Sequence, residues 1–214
     1  MHRKDGKEAD MDEKTKAFVE QMITGDESAF DALYHFYSGK LYRMALFLTG
    51  NRSDSEDVLQ ETFVKCYLNR GSLKNPERFE AWIYQILVRT AWRTSKMRKR
   101  KGELSYEGLL EQQEETGSRT AAVLQREDRM DGPLEKLLRD ETARELLGAV
   151  NRLDVKYRTV VLLHYYNGLG TREIAEITGI LEGTVKSRLS KARRLLKKCL
   201  ETELAAGNGR EAVL

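Results

Sequence analysis

Between Glu182 and Leu200, Lys186, Arg188, Lys191, Arg193, Arg194, Lys197 and Lys198 share a stretch with Ser187 and Ser190, and Glu182 is its only acid. Ammonium and guanidinium groups bind phosphate oxygens, and cations and hydroxyls also hydrogen-bond base edges. The chemistry is recognition of nucleic acid rather than bond making. Val185, Leu189, Ala192 and Leu196 recur at i, i+4, i+7 and i+11, which places them on one buried stripe of a helix beginning near Glu182. A short helix over 170–178, with Ile174, Ala175 and Ile177 inward, precedes it. Gly179 can take the positive φ of a tight corner, and Ala175 is small enough for the second helix to cross closely. Basic faces on ordinary amphipathic surface helices are common. The spacing of Ala175, Gly179 and Val185 adds what charge alone does not, and it favours a helix-turn-helix whose second helix enters the major groove.

A second group of cations lies at Arg89, Arg93, Lys96, Arg98, Lys99, Arg100 and Lys101, with Trp92 among them. Cations beside an aromatic ring suit single-stranded nucleic acid, since a base stacks on the ring while the backbone meets the charges. The other reading makes Trp82 and Trp92 core residues and the basic run a solvated helix end; Trp82 reads as core, and for Trp92 the two are evenly matched. An acidic stripe, Asp54, Asp57 and Glu61, falls on one face of a helix beginning near Ser53. On composition alone it reads as a solvated face that compensates the helix dipole.

No nucleophile elbow, P-loop, HExxH or carboxylate constellation is found, so an enzyme is not expected. Cys66 and Cys199 belong to no CxxC or Cys/His cluster, and His2, His35 and His164 have no ligand-spaced partners. Neither a metal, nor another cofactor, nor a structural disulfide is expected.

The elements that position these groups read as helices. The chain has 214 residues, a formal net charge of +3 and only two prolines, Pro76 and Pro133. Its wealth of Leu, Glu, Lys, Arg and Ala points to an all-α protein of two small domains. Residues 1–14 are expected to be a disordered extension, with Met1 or Met11 as the start. Residues 15–101 form the first domain: one helix ends at Gly25, the next is capped by Asp26 or Ser28, a further helical segment covers 40–49, and Gly50 closes it. The acidic helix, a loop over 70–76 and an aromatic helix from Phe79 follow. Residues 102–132 lose periodicity, carry Glu103, Glu107, Glu111, Glu114 and Glu115, and read as an acidic flexible linker with a short helix near 120–131. Residues 133–204 form the second domain, and 205–214 a tail. No apolar run approaches bilayer length and the N-terminus lacks an h-region, so a cytoplasmic location is expected.

Taken together, Asp-Ser-Glu-Asp-Val-Leu-Gln-Glu-Thr-Phe (54–63), Pro-Glu-Arg-Phe-Glu-Ala-Trp-Ile-Tyr-Gln-Ile (76–86), Lys-Tyr-Arg-Thr-Val-Val-Leu-Leu (156–163), Glu-Ile-Ala-Glu-Ile (173–177) and Glu-Gly-Thr-Val-Lys-Ser-Arg-Leu (182–189) are similar to bacterial sigma factors of the extracytoplasmic-function type, group IV. The resemblance covers nearly everything from Thr15 to Leu200 except the linker. It implies an alternative sigma factor that recruits core RNA polymerase, reads −35 and −10 elements and nucleates promoter melting. By position, Asp54, Asp57, Gln60 and Glu61 would dock on the coiled coil of the β and β′ subunits, which replaces the solvated-face reading of the stripe. Arg70, Ser72, Lys74, Asn75, Arg89, Trp92, Arg93 and Lys96 would hold the −10 strand. Thr184, Lys186, Ser187, Arg188, Ser190, Lys191 and Arg194 would serve the −35 element, with Arg188 and Arg194 on phosphates or intramolecular partners. The linker would thread toward the RNA exit path, and an anti-sigma factor, often membrane-bound in the family, would hold the protein inactive. Arg89 and Arg93 depart from the family's Asn and Asp, Gly170 from its Ser or Thr cap, Leu181 from a frequent Pro, and Asp154 from a common Pro. The competing function is an autonomous helix-turn-helix regulator that binds duplex operators.

Overall fold

The computed structural model describes residues 5–104 and 148–211, with side chains over 13–98 and 148–201. Most of the expected linker, its short helix and the first part of the second domain lie outside these residues. Every regular element described is helical.

In the first unit, α1 (Asp5–Thr24) begins well before the expected start at Thr15, in a segment of helix-favouring Lys, Glu and Ala. α2 (Glu27–Thr49) is one helix where two segments were expected, and Gly39 sits inside it without breaking it. Asp26 is its cap: Oδ1 accepts from the Ser28 and Ala29 amides at 2.8 and 3.2 Å. Gly50, at φ 78°, ends it by donating to the Leu46 carbonyl. α3 (Arg52–Leu68) starts on Asn51, whose Oδ1 accepts from the Asp54 amide at 2.9 Å. Two 3₁₀ turns, Arg70–Ser72 and Pro76–Arg78, lead into α4 (Phe79–Leu104). Leu33, Leu41 and Met44 of α2, Val58 and Cys66 of α3, and Phe79, Ile83 and Leu87 of α4 are buried together with Val19 and Met22 of α1. Burial pushes the Cys66 thiol up to about 12, so it packs as an inert apolar group.

In the second unit, helical residues 148–152 precede α5 (Val155–Val161), which continues through a π-helical turn at Leu162–Tyr166. Asp154 caps α5, its Oδ1 accepting from the Lys156 amide at 3.1 Å. A carboxylate cap thus serves where the family commonly starts this helix on Pro. α6 (Thr171–Thr178) and α7 (Glu182–Glu211) complete the unit, α7 running past the expected end at 204. Val160, Leu163, Ile174, Ile177, Val185, Leu189 and Ala192 are buried and continuous with the core of the first unit.

Candidate nucleic-acid and polymerase interfaces

The helix-turn-helix forms as its spacing predicts. Gly170 precedes α6, and the Glu173 Oε2 accepts from the Gly170 amide at 2.7 Å, the half of a capping box that needs no N-cap side chain. Gly179 has φ 70° and its amide donates to the Ala175 carbonyl. Thr171 Oγ1 donates to Glu182 Oε1 at 2.8 Å, tying the start of α6 to the start of α7. Leu181 is 80% exposed at the corner. With Val185, Leu189 and Ala192 buried beneath it, α7 turns Lys186, Ser187, Ser190, Lys191 and Arg194 outward, while Thr184 and Arg188 are half-buried. Lys186 pairs with Glu182 at 2.8 Å, and the Lys191 ammonium lies 5.5 Å from the Tyr157 ring centroid. Ser187 Oγ donates to the Thr184 carbonyl at 3.0 Å. Hydrogen bonds from Lys186 and Thr171 and the Lys186 charge hold the Glu182 carboxyl below the ordinary carboxylate range. Ammonium, guanidinium and hydroxyl groups of this kind can donate to phosphate oxygens and to base edges.

The acidic stripe of α3 divides between two faces. Asp57 and Gln60 are exposed. Asp54 and Glu61 instead turn to the basic end of α4: Arg98 Nη1 lies 3.3 Å from Asp54 Oδ2, Arg93 Nη2 pairs with Glu61, and Lys65 joins Glu61 at 2.8 Å. Partial burial would raise the Glu61 carboxyl, but Lys65 and Arg93 outweigh it and hold its pKa below the ordinary value. Neutralisation across the two helices is a structural use of carboxylates for which the stripe alone gives no signal.

On the other side of α3, sequence reasoning missed a groove. It is an open channel of about 690 Å³ between α2 and α3, lined by Phe30, Tyr34, Leu59, Phe63, Val64, Tyr67 and Leu68, with Glu27, Asp31, Glu56 and Gln60 on its rim. Phe30 packs edge-on against Phe63 and Tyr67, with ring centroids 6.2 and 5.1 Å apart, and Tyr34 stacks at a tilt on Phe63 at 4.6 Å. Val64 and Leu68 remain 50% and 71% exposed. A contiguous apolar surface with an acidic rim is the form of a helix-binding groove. Its sequence signal was the i, i+4 recurrence of Phe63, Tyr67 and Leu59 with Val64 and Leu68 on the adjoining face.

The expected −10 residues spread over the loop and α4. Ser72, Lys74 and Asn75 are exposed, and Asn75 Oδ1 accepts from the Glu77 amide at 3.0 Å. Arg70 folds back, its guanidinium 4.3 Å from the Tyr67 ring centroid and Nη1 donating to the Tyr67 carbonyl at 2.7 Å. Arg89 and Lys96 are exposed, whereas Trp92 is half-buried and its Nε1 donates to Thr159 Oγ1 of the second unit at 2.8 Å. Trp82 is half-buried against the core and tilted on Phe79. Among the described residues no group of His, Cys, Asp and Glu could hold a metal ion, and no helix is long and apolar enough to cross a membrane.

These two units match known sequence families. Residues 33–101 match the Sigma-70 region 2 family and residues 143–196 match Sigma-70, region 4, so the chain has the two-domain organisation of a sigma factor. It is similar to the ECF RNA polymerase sigma factor SigW of Bacillus subtilis (strain 168), 29% identical over 192 residues covering 89% of this chain and 98% of that one. It is also similar to the ECF RNA polymerase sigma factor SigL of Mycobacterium tuberculosis (strain ATCC 25618 / H37Rv), 31% identical over 191 residues covering 86% and 96%. The same fold occurs in CnrH, solved in complex with the cytosolic domain of CnrY (TM-score 0.57, 20% identity, 88% of this chain and 98% of that one). It occurs too in the sigma factor RpoE of Bartonella quintana, solved with the anti-sigma factor NepR (TM-score 0.58, 22% identity, 80% and 96%). The chain belongs to the ECF RNA polymerase sigma factors. It is an alternative sigma factor that directs RNA polymerase to promoters.

Proposed function

We propose that the two units divide promoter recognition and that α3 recruits the polymerase. The observation that carries this is one chain holding both a helix-turn-helix with an outward basic face and a separate helical unit whose surface offers an aromatic groove beside exposed acids. An autonomous operator-binding regulator needs the first and has no use for the second. Asp57 and Gln60, with the groove next to them, dock on the coiled coil of the β and β′ subunits, while Asp54 and Glu61 fix α3 against α4. Ser72, Lys74, Asn75, Arg89, Trp92, Arg93 and Lys96 receive the −10 strand, with Arg70 supporting the loop. Extruding bases costs a few kcal/mol, which a stacking ring and cations repay. Thr184, Lys186, Ser187, Ser190 and Lys191 read the −35 element in duplex form, and Arg188 and Arg194 hold its backbone.

The protein has no chemistry of its own and works in the cytoplasm as a group IV factor. Its regulator is an anti-sigma factor that covers one or both units; the similar sigma factor RpoE, solved with the anti-sigma factor NepR, supports this. Changing Asp57 and Gln60 together to Lys should abolish capture by core polymerase and leave the melting temperature within a few degrees of wild type. Undiminished capture would overturn the docking assignment.

A further inference from the structure

The two units are docked on one another, and the docking runs along the side of α4 that carries Trp92. Arg78 pairs with Glu176 of α6 at 2.9 Å, and Gln85 Nε2 donates to the Glu176 carbonyl at 3.1 Å. Asn167 Nδ2 donates to the Tyr84 hydroxyl at 2.7 Å, and Trp92 donates to Thr159 of α5. At the centre lies Arg158, 8% exposed. Its Nη1 donates to the carbonyls of Phe47 and Leu48 at 3.1 and 3.2 Å, and its Nη2 donates to those of Leu153, at 3.0 Å, and Asn151. Phe47 and Leu48 are in the last turn of α2, where carbonyls lack intrahelical partners and carry the negative end of the dipole. Arg158 therefore caps its own unit with one nitrogen and the other unit with its second.

We propose that this docked arrangement is an autoinhibited state of the free chain, in which α5 and α6 cover the Trp92 side of α4 and Arg158 is the latch. It rests on the reading of α4 as the helix that holds the −10 strand. A base cannot stack on an indole whose ring is packed and whose nitrogen is bonded to Thr159. Buried apolar side chains of the two units also pack together, but the polar contacts across the junction are hydrogen bonds and one exposed ion pair, which water can replace when polymerase engages both units. Burial lowers the pKa of Arg158 to about 10, still well above neutral, so the latch stays charged and does not open with pH.

The test uses the full chain carrying Cys199→Ser, with spin labels at Glu80→Cys on α4 and Arg172→Cys on α6, both exposed positions. Electron–electron resonance reads the distance distribution, and a fluorescein-labelled randomised 20-nucleotide single-stranded DNA reads strand binding. The free chain should show one narrow, short distribution. Arg158→Met, and separately Thr159→Val combined with Glu176→Arg, should lengthen and broaden it and tighten strand binding at least threefold. Arg158→Met also removes bonds within its own unit; the second variant spares those, and circular dichroism confirms that it folds. A broad, long distribution in the parent chain, or a narrow one that persists in both variants, would overturn the latch. A lengthened distribution without tighter strand binding would overturn the inhibition while leaving the docking intact. Failure of the α4 reading is distinguishable: strand binding by the opened chain would then be unaffected by Trp92→Ala.

Discussion

Replacing Val64 and Leu68 together with Ser isolates the contribution of the groove to polymerase docking. Val64 is 50% exposed and Leu68 71% exposed, so neither adds much to the fold. Complete burial of a Val or Leu side chain contributes about 1.5–3 kcal/mol. A partner helix seated in the groove would bury the remaining half of Val64, about 1 kcal/mol, and most of what remains of Leu68, about 1.5–2 kcal/mol. The pair together is then about 2.5–3 kcal/mol, or roughly 100-fold in affinity at about 1.4 kcal/mol per tenfold. The folded state should change by no more than about 1 kcal/mol, the range of substitutions at exposed positions. Titration of labelled protein with core polymerase, followed by anisotropy, reads the first quantity, and urea denaturation reads the second. An affinity within threefold of wild type would refute the groove as a docking surface and return the role to Asp57 and Gln60 alone. A loss of affinity accompanied by unfolding would refute the claim that the two residues are free for a partner.

Three other outcomes follow from the same structure. Gly179 sits at φ 70° with an added Cβ 3.8 Å from Arg89 Nη2, an ordinary contact, so Gly179→Ala pays only backbone strain. It should cost about 1–2 kcal/mol and Gly179→Asn less, as read by urea midpoints; equal costs would refute strain as the cause. Lys191→Ala should lower binding about tenfold or more at particular −35 bases, in line with about 1–3 kcal/mol per base contact, and an equal loss across all sequences would make Lys191 a phosphate contact. Glu61 has a depressed folded-state pKa, so its ion pairs contribute stability above the ordinary carboxylate value of about 4.3 and lose it as pH falls through the lower folded value. Glu61→Gln should therefore flatten the stability curve between about pH 5 and 3, and an unchanged acid limb would contradict the pairing.

Local features were the legible ones. The corner at Gly179, the stripe Val185, Leu189 and Ala192, and the Asp26 cap are each decided within a few residues, where φ, periodicity and a side-chain acceptor act directly. Residues 40–49 read as a further segment, yet they continue the preceding helix through Gly39, because a single glycine costs a helix only about 1 kcal/mol, less than the packing of Tyr37, Leu41 and Met44 around it supplies. The basic end of α4 was legible as a cluster of charge but not as the partner of α3, because the Arg93–Glu61 contact joins residues 32 positions apart. The groove was hidden for a related reason. Phe30 and Tyr34 on one helix meet Phe63 and Tyr67 on another, and only the packing of α2 on α3 leaves that face open. The junction of the two units was the least legible, since Trp92 and Thr159 lie 67 positions apart and Arg158 reaches 111 positions back to Phe47. Its Arg158 has no carboxylate among its hydrogen-bond acceptors, so no charge pattern points to it.

The measurement that bears most directly on the whole account is transcription from a library of randomised templates by core polymerase reconstituted with this protein, followed by sequencing of the templates that yield run-off transcripts. The two-unit reading predicts enrichment of two separated blocks, one in the −35 region that depends on α7 and one in the −10 region that depends on α4. Loss of enrichment at the first block alone should accompany Lys191→Ala, and at the second alone Trp92→Ala. No template-specific transcript, or a single block unaffected by Trp92→Ala, would contradict the account and leave a duplex-binding regulator in its place.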